Sequence, residues 1–441
     1  MLTMTSRSKD IWILVLLMAL AIANFFVFGL IHDPGWKDAA DYSAYAKNLS
    51  LGNGYSLDGV TFSIYREPGV SFYLLPFYKI FGIETPLALL AASFTQALLL
   101  GLLGFIIYRI LKHYGETWIA LVAGICIASQ PILGHHTNET GAEPLFIFML
   151  GVILLLCVRI MRSPAAAPWY WYALLGLAFG YEALVRFQFV LFPFFIAFFY
   201  LIYARPLSWQ VMRNTIIALA VFAVIPLSFA SYIYANTGVF AVTSGRQNDM
   251  LYYRAVRAEL SYGEITRYLR DWLWRSISGG ENTQFLTDNE FKKLGYEYET
   301  LATTSEAVAR IRAKNIHTIL SRPGHYLYGN VVEMVKLGYI EHDYSDTLNR
   351  YFRPVQYLFI YSFFLFGLYQ LIRTKGKGDV RALGILALLF IFYNIITLSF
   401  FNVVPRFNTP YLPFFILIGF LGLILFRRTH AHRLEKTPHS V

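Results

Sequence analysis

What most constrains this chain is a recurrence of apolar runs, each of the roughly 20 residues that a helix needs to cross a bilayer. They fall at 11–31, 85–108, 117–134, 143–158, 169–186, 187–204, 214–235, 354–372, 382–401 and 408–426. The reading is an all-α polytopic membrane protein of about ten transmembrane helices (9–13), with amphipathic helices at its outer face. The boundary at Arg186 can also be read as a break inside the bilayer. Only 15% of the residues are charged and 56% are hydrophobic. A soluble domain carries about 25% charge, so most of this chain faces something other than water.

The net charge of +10 does not point to nucleic acid, because of where the charge sits. Lys and Arg gather in alternate short loops: Arg7 and Lys9, Arg109 and Lys112, Arg159 and Arg162, Arg205 and Arg213, Arg373 to Arg381, and Arg427 to Lys436. That is the positive-inside pattern, and it predicts both termini in the cytoplasm. The segments 32–84, 135–142, 236–353 and 402–407 then lie on the outer side, periplasmic if the membrane is a bacterial inner membrane. Cys126 and Cys157 fall within predicted spans, where a buried apolar role is expected rather than a disulfide. The first apolar run lacks a small-residue cleavage site and reads as a retained span.

Three parts follow. Residues 1–235 form an N-terminal transmembrane module with the first outer loop at 32–84. Residues 236–353 form an outer segment with helices such as "TSEAVARIRAKNIHTILS" and "SRPGHYLYGNVVEMVKLGYI". Residues 354–441 bring the last spans and a basic cytoplasmic tail. In the first outer loop, "LGNGYSLDG" signals tight turns, so two short surface helices separated by a turn are expected.

The first of those helices, "DAADYSAYAKNL", leaves the bilayer and at once presents two aspartates. Asp38, Asp41 and Tyr45 stand at i, i+3 and i+7 and share one helical face, with Tyr42, Ala46 and Leu49 on a second, apolar one. A solvated helix face is the plain alternative. Ionisable groups in apolar runs are costly and face a cavity or a partner. Glu143 opens a span and also suits a helix N-terminus. Arg186 can pair with Glu182 four residues earlier, Arg406 can snorkel to the interface, and Arg66 with Glu67 can form a surface ion pair. His136, Glu139 and Glu143 at i, i+3 and i+7 are weak candidates for a divalent metal. Two outward carboxylates, Asp41 and Glu143, beside Arg66, Arg186 and Arg406, describe group transfer from a lipid phosphate. A carboxylate deprotonates a hydroxyl, and arginine binds phosphate bidentately.

The stretches "DYSAYAKNLSLGNGYS", "REPGVSFYLLPFYKIFG", "GAEPLFIF", "GLAFGYEALVRFQFVLFPFF", "ANTGVFAVTSGRQN" (which contains Arg246) and "PRFNTPYLPFF" follow one another along the chain. In this order and topology they resemble the C-type membrane glycosyltransferases, in particular protein O-mannosyltransferases and lipid A aminoarabinose transferases. The resemblance implies an inverting transfer of a sugar from a polyprenyl-phosphate donor, at the outer face, to a lipid, glycan or protein acceptor. It puts the catalytic aspartate on Asp41, with Asp38 as rival, and the second acidic position on Glu143. Tyr45, Glu67 and Arg246 would be supporting residues. Relatives often carry a lysine beside the proline of "REP"; here Glu67 stands in its place, which shifts the phosphate role to Arg66. The C-terminal soluble domain of some relatives is not expected here, and acceptor recognition is expected from 236–353 or from the membrane cavity. The competing functions are a transporter or flippase of lipid-linked sugars, and a lipid-linked glycan polymerase or ligase.

Overall fold

Each of the ten apolar runs contains a helix in the computed structural model. The structure describes residues 6–29, 37–138, 140–203, 208–243, 251, 254–278, 305–337, 347–374, 378–400 and 409–436. In the first half the helices are α1 (Ser6–Asn24), α2 (Lys37–Leu51), α3 (Gly69–Phe81), α4 (Pro86–Tyr114), α5 (Thr117–Ala128), α6 (Pro131–His136), α7 (Ala142–Met161), α8 (Trp169–Val185), α9 (Phe192–Tyr203) and α10 (Trp209–Thr237). The rest comprises α11 (Tyr262–Ser278), α12 (Ser305–Ser321), α13 (Pro323–Leu337), α14 (Thr347–Arg373), α15 (Asp379–Phe400) and α16 (Leu412–Lys436).

Among the described residues, 7 helical stretches are long and apolar enough to cross a membrane: Arg7–Val27, Pro86–Tyr114, Ala142–Met161, Trp209–Thr237, Val355–Arg373, Asp379–Thr397 and Thr409–His430. Among the described residues the other three runs hold shorter helices: α5 has 12 residues, α8 has 17 and α9 has 12. The causes are local. Pro131 restarts the chain as the first residue of α6, where its missing N–H costs nothing. Arg186 adopts an extended backbone (φ −145°, ψ 97°) that ends α8, and a single 3-10 turn, Phe187–Phe189, precedes α9. Helix starts and stops follow ordinary capping chemistry. The Thr85 hydroxyl accepts from Ala88 N–H and Pro86 opens α4, while Gly238 ends α10 with a φ of 71°, open to glycine without strain.

The chain divides into two units. The first holds Met1–Val242, Ile360–Phe390 and Pro410–Val441; the second holds Thr243–Phe359 and Ile391–Thr409. In the first, α4 packs on α1, α5 and α7, and α8 packs on α7 and α10, while α3 lies against α2, α4 and α8. Without water to drive association between helices in lipid, close approach depends on small residues. A Cβ at Gly176 would collide with Ala218 O, and one at Gly69 would stand 2.7 Å from Val185 N.

The two ends of this unit differ in chemistry. At one end Asp10 accepts from Lys112 Nζ at 2.6 Å and Tyr108 OH at 2.7 Å. At the same end Arg159 lies 5.3 Å from the Trp171 ring centroid and Arg427 pairs with Glu116 at 3.0 Å. Helices α4 and α7 run towards this basic end and α8 runs away from it. The other end therefore collects the start of α7 and the last turn of α8. In the second unit α13 packs on α11 and α12, around Leu260, Ile265 and Val332. Ser261 and Glu264 form a capping box at the start of α11: Ser261 N–H donates to Glu264 Oε2 at 2.8 Å and Glu264 N–H to Ser261 Oγ at 3.3 Å. The bonds from Ser261 hold the Glu264 carboxyl below its ordinary range.

Candidate active site

The end opposite the basic residues is built from α2, the loop that follows it, and α3. Gly52 and Gly54 take positive φ values of 83° and 78°, turning the chain straight back over α2 as the Gly-Asn-rich stretch predicts. Tyr55 then stacks on Tyr45, centroids 4.1 Å apart, and donates through its hydroxyl to Arg66 O at 2.9 Å. Tyr45 is fully buried; its hydroxyl donates to Ser63 Oγ at 2.8 Å and accepts from Tyr65 N–H at 3.2 Å. Burial pushes the Tyr45 phenol up to about 12. Two further bonds tie the assembly down, from Ser71 Oγ to Tyr42 O at 3.1 Å and from Tyr181 OH to Gly69 O at 3.0 Å.

This scaffold delivers Arg66, 4% exposed, to the face of α2 that carries both aspartates. Its Nη2 donates to Asp38 Oδ1 at 2.6 Å and lies 2.6 Å from Asp41 Oδ2, and its Nε donates to Asp41 Oδ2 at 2.8 Å. The guanidinium carbon is 5.0 Å from the Tyr65 ring centroid and 5.8 Å from that of Tyr42. Burial works against the charge on Arg66, but Asp38 and then Tyr42 and Asp41 outweigh it, so its pKa lies above the ordinary arginine value. The aspartate side chains stay partly open, 23% exposed for Asp38 and 27% for Asp41. Asp41 Oδ1 and Arg66 Nη1 make no hydrogen bond among the described residues.

A second ion pair stands beside the first. Arg186 Nη2 donates to Glu143 Oε1, and both side chains are buried. Arg186 also lies within electrostatic reach of Glu67 and Asp38, which joins the two pairs into one cluster. Glu182, completely buried one turn before Arg186, has no hydrogen-bond partner for either carboxylate oxygen among the described residues. The same holds for Glu67 Oε2.

The helical face of Asp38 and Asp41 is as the sequence predicts, but it grips an arginine and is not plainly solvated. The surface pair of Arg66 with Glu67 is not formed, since both are buried and Arg66 is taken by the aspartates. Arg186 pairs with Glu143 and not Glu182, because the extended backbone at Arg186 carries its side chain off the face of α8. His136 and Glu143 share no helix: α6 ends at His136 and α7 begins at Ala142, so their i, i+7 spacing does not place them on one helical face. Among the described residues no three His, Cys, Asp or Glu side chains come together to hold a metal ion. Glu139, Arg246 and Arg406 lie outside the described residues. The sequence reading missed the clamp of Tyr42, Tyr55 and Tyr65 around Arg66; its one signal was the aromatic residue directly before "REP".

Residues 67–234 match the family described as dolichyl-phosphate-mannose-protein mannosyltransferase. No curated protein sequence matches the chain. Among solved structures, the Archaeoglobus fulgidus oligosaccharyltransferase AglB, in complex with an inhibitory peptide and a dolichol-phosphate, aligns with a TM-score of 0.53 at 14% identity, covering 99% of this chain and 52% of AglB. The Archaeoglobus fulgidus oligosaccharyltransferase tethered to an acceptor peptide gives a TM-score of 0.53, 13% identity and coverages of 98% and 51%. The chain thus spans about half the length of these relatives. ArnT from Cupriavidus metallidurans bound to undecaprenyl phosphate aligns at 12% identity over 95% of this chain and 78% of ArnT, with a TM-score of 0.42 that is too loose to carry an argument. The likeness to the solved structures is one of fold, that of a polytopic helical membrane protein, and the match to the dolichyl-phosphate-mannose-protein mannosyltransferase family extends over residues 67–234 of this chain.

Proposed function

We propose that the chain is an inverting glycosyltransferase that moves a sugar from a polyprenyl-phosphate donor to a hydroxyl of a lipid, glycan or protein acceptor. The observation that carries this reading is the cluster in which Asp41 and Asp38 grip Arg66 beside the buried pair of Arg186 and Glu143. Support comes from the family match and from a structural relative that holds a dolichol-phosphate and a peptide. In this reading the basic end faces the cytoplasm, as the positive-inside pattern predicts, and the cluster lies at the outer face, periplasmic in a bacterial inner membrane.

In this mechanism Asp41 accepts the proton of the acceptor hydroxyl through Oδ1 as the hydroxyl oxygen bonds to the anomeric carbon. The bond from that carbon to the phosphate oxygen breaks, and its electron pair leaves with polyprenyl monophosphate. Attack from the face opposite the leaving group inverts the anomeric centre. Arg66 and Arg186 stabilise the charge that develops on the departing phosphate, and Glu143 holds Arg186 in position. Asp38 is proposed as the group that keeps Arg66 oriented.

The test is turnover by purified protein with a polyprenyl-phosphate sugar, reading both the new glycosidic bond and the released lipid. Asp41→Asn should lower kcat by about 10²–10⁴-fold with membrane yield retained. Retention of most activity would end the assignment. Release of lipid diphosphate would point to a polymerase or ligase, and movement of donor without a new bond to a transporter.

A further inference from the structure

At the basic end of the first unit, α4 and α7 finish side by side and leave a cavity of about 260 Å³ between them. Arg109, Arg159 and Arg162 line it, with Phe105, Leu155 and Val158 among its apolar lining residues. No carboxylate is among its lining residues; Asp10 reaches Arg109 from outside, at 3.5 Å. The order along both helices is the same. Phe105 precedes Arg109 by one turn, and Leu155 and Val158 precede Arg159 and Arg162 by one turn, a displacement of about 6 Å along the axis. The cavity is therefore apolar towards the bilayer centre and cationic at its rim.

Cations at a helix C-terminus complement the helix dipole, which accounts for any one of these arginines singly. It does not account for three of them around a shared space with an apolar floor. Two are also steered in place by aromatic faces, Arg109 at 5.9 Å from the Phe105 ring centroid and Arg159 at 5.3 Å from that of Trp171. A ligand that matches this gradient has an anionic phosphate at one end and a hydrocarbon chain at the other, both of which the adjoining leaflet supplies. A zwitterionic lipid would bring an ammonium group to a rim of guanidinium groups and is disfavoured.

We propose that this cavity is a binding site for an anionic glycerophospholipid, its phosphate on Arg109, Arg159 and Arg162 and an acyl chain along Phe105, Leu155 and Val158. It lies at the end of the unit away from the Asp41 cluster, so it is separate from the donor site. Bound there, the lipid would tie the ends of α4 and α7, the helices whose other ends lie beside the cluster.

The experiment uses the full-length protein, stripped of lipid in detergent, with retained lipid read by native mass spectrometry. Phosphatidylglycerol, phosphatidylcholine and polyprenyl phosphate are offered in competition. Phosphatidylglycerol should be retained over phosphatidylcholine, and less so as salt is raised. The variant Arg109→Gln/Arg159→Gln/Arg162→Gln should weaken retention roughly tenfold or more, as loss of cations at a charged lipid surface implies. Arg213→Gln, outside the cavity, should leave it unchanged. Should the triple variant misfold, Arg162→Gln and Leu155→Trp each weaken retention through one half of the site. Equal retention of phosphatidylcholine, undiminished retention in all three cavity variants, or preference for polyprenyl phosphate would each overturn the proposal.

Discussion

At Arg186 a single side chain meets the costliest requirement of a membrane-embedded site, a buried charge with a partner. Glu143 and Arg186 are both 8% exposed at the side chain, so removing one takes from the other the opposite charge it is hydrogen-bonded to, a loss of up to about 3–5 kcal/mol. Arg186→Gln should therefore lower Tm more than the double variant Glu143→Gln/Arg186→Gln, in thermal unfolding of purified protein. If the double variant is the less stable of the two, the pair does not act as a unit. A second residue-scale test concerns Tyr45, whose phenol is pushed up to about 12 in the fold against about 10 when unfolded. Above pH 10 the unfolded chain loses this proton while the folded one keeps it, so stability falls as pH rises from about 10 towards 12. Tyr45→Phe should flatten that part of the stability profile, measured by Tm between pH 9 and 11.

At the scale of elements, the decisive contact is the crossing of α3 over the end of α8. A Cβ at Gly69 would lie 2.7 Å from Val185 N, a backbone atom that cannot move aside as a side-chain tip can. Gly69→Ala should push α3 off α8, displace Arg186 next to Val185, and cost about 1–3 kcal/mol. The checks are Tm and transfer rate, and an unchanged rate would show that the crossing does not position Arg186. The helices themselves were legible in the sequence: α2 from its spacing of aspartates and tyrosines, and α12 from apolar residues recurring at helical intervals. Helix ends were less so. Nothing in "EALVRFQF" states that the backbone extends at Arg186, because the Glu143 carboxylate which that extension lets Arg186 reach stands on another helix.

At the scale of the molecule, α4 and α7 run between two chemically opposite ends, and the positive-inside pattern predicts that those ends lie on opposite sides of the membrane. A cysteine at exposed Val60, near the cluster, should react with a membrane-impermeant maleimide in intact cells. One at Arg162 should react only after permeabilisation. Labelling of both from outside would overturn the assigned sidedness.

Hydropathy and charge alone established that the chain is helical, spans a membrane and has one basic face. These are local properties: a run of apolar side chains must find lipid wherever else the chain goes, and lysines and arginines mark their own loops. The candidate acids Asp41 and Glu143 and the arginines 66 and 186 were visible as charges in costly places. Which charge meets which was decided by tertiary structure. The alternatives open at the level of sequence, Arg186 with Glu182 and Arg66 with Glu67, were the neighbours along the chain. The partners found are 43 residues apart for Arg186 and Glu143, and 25 for Arg66 and Asp41. Burial strengthens attraction between opposite charges and penalises any left alone, so packing overrode sequence proximity.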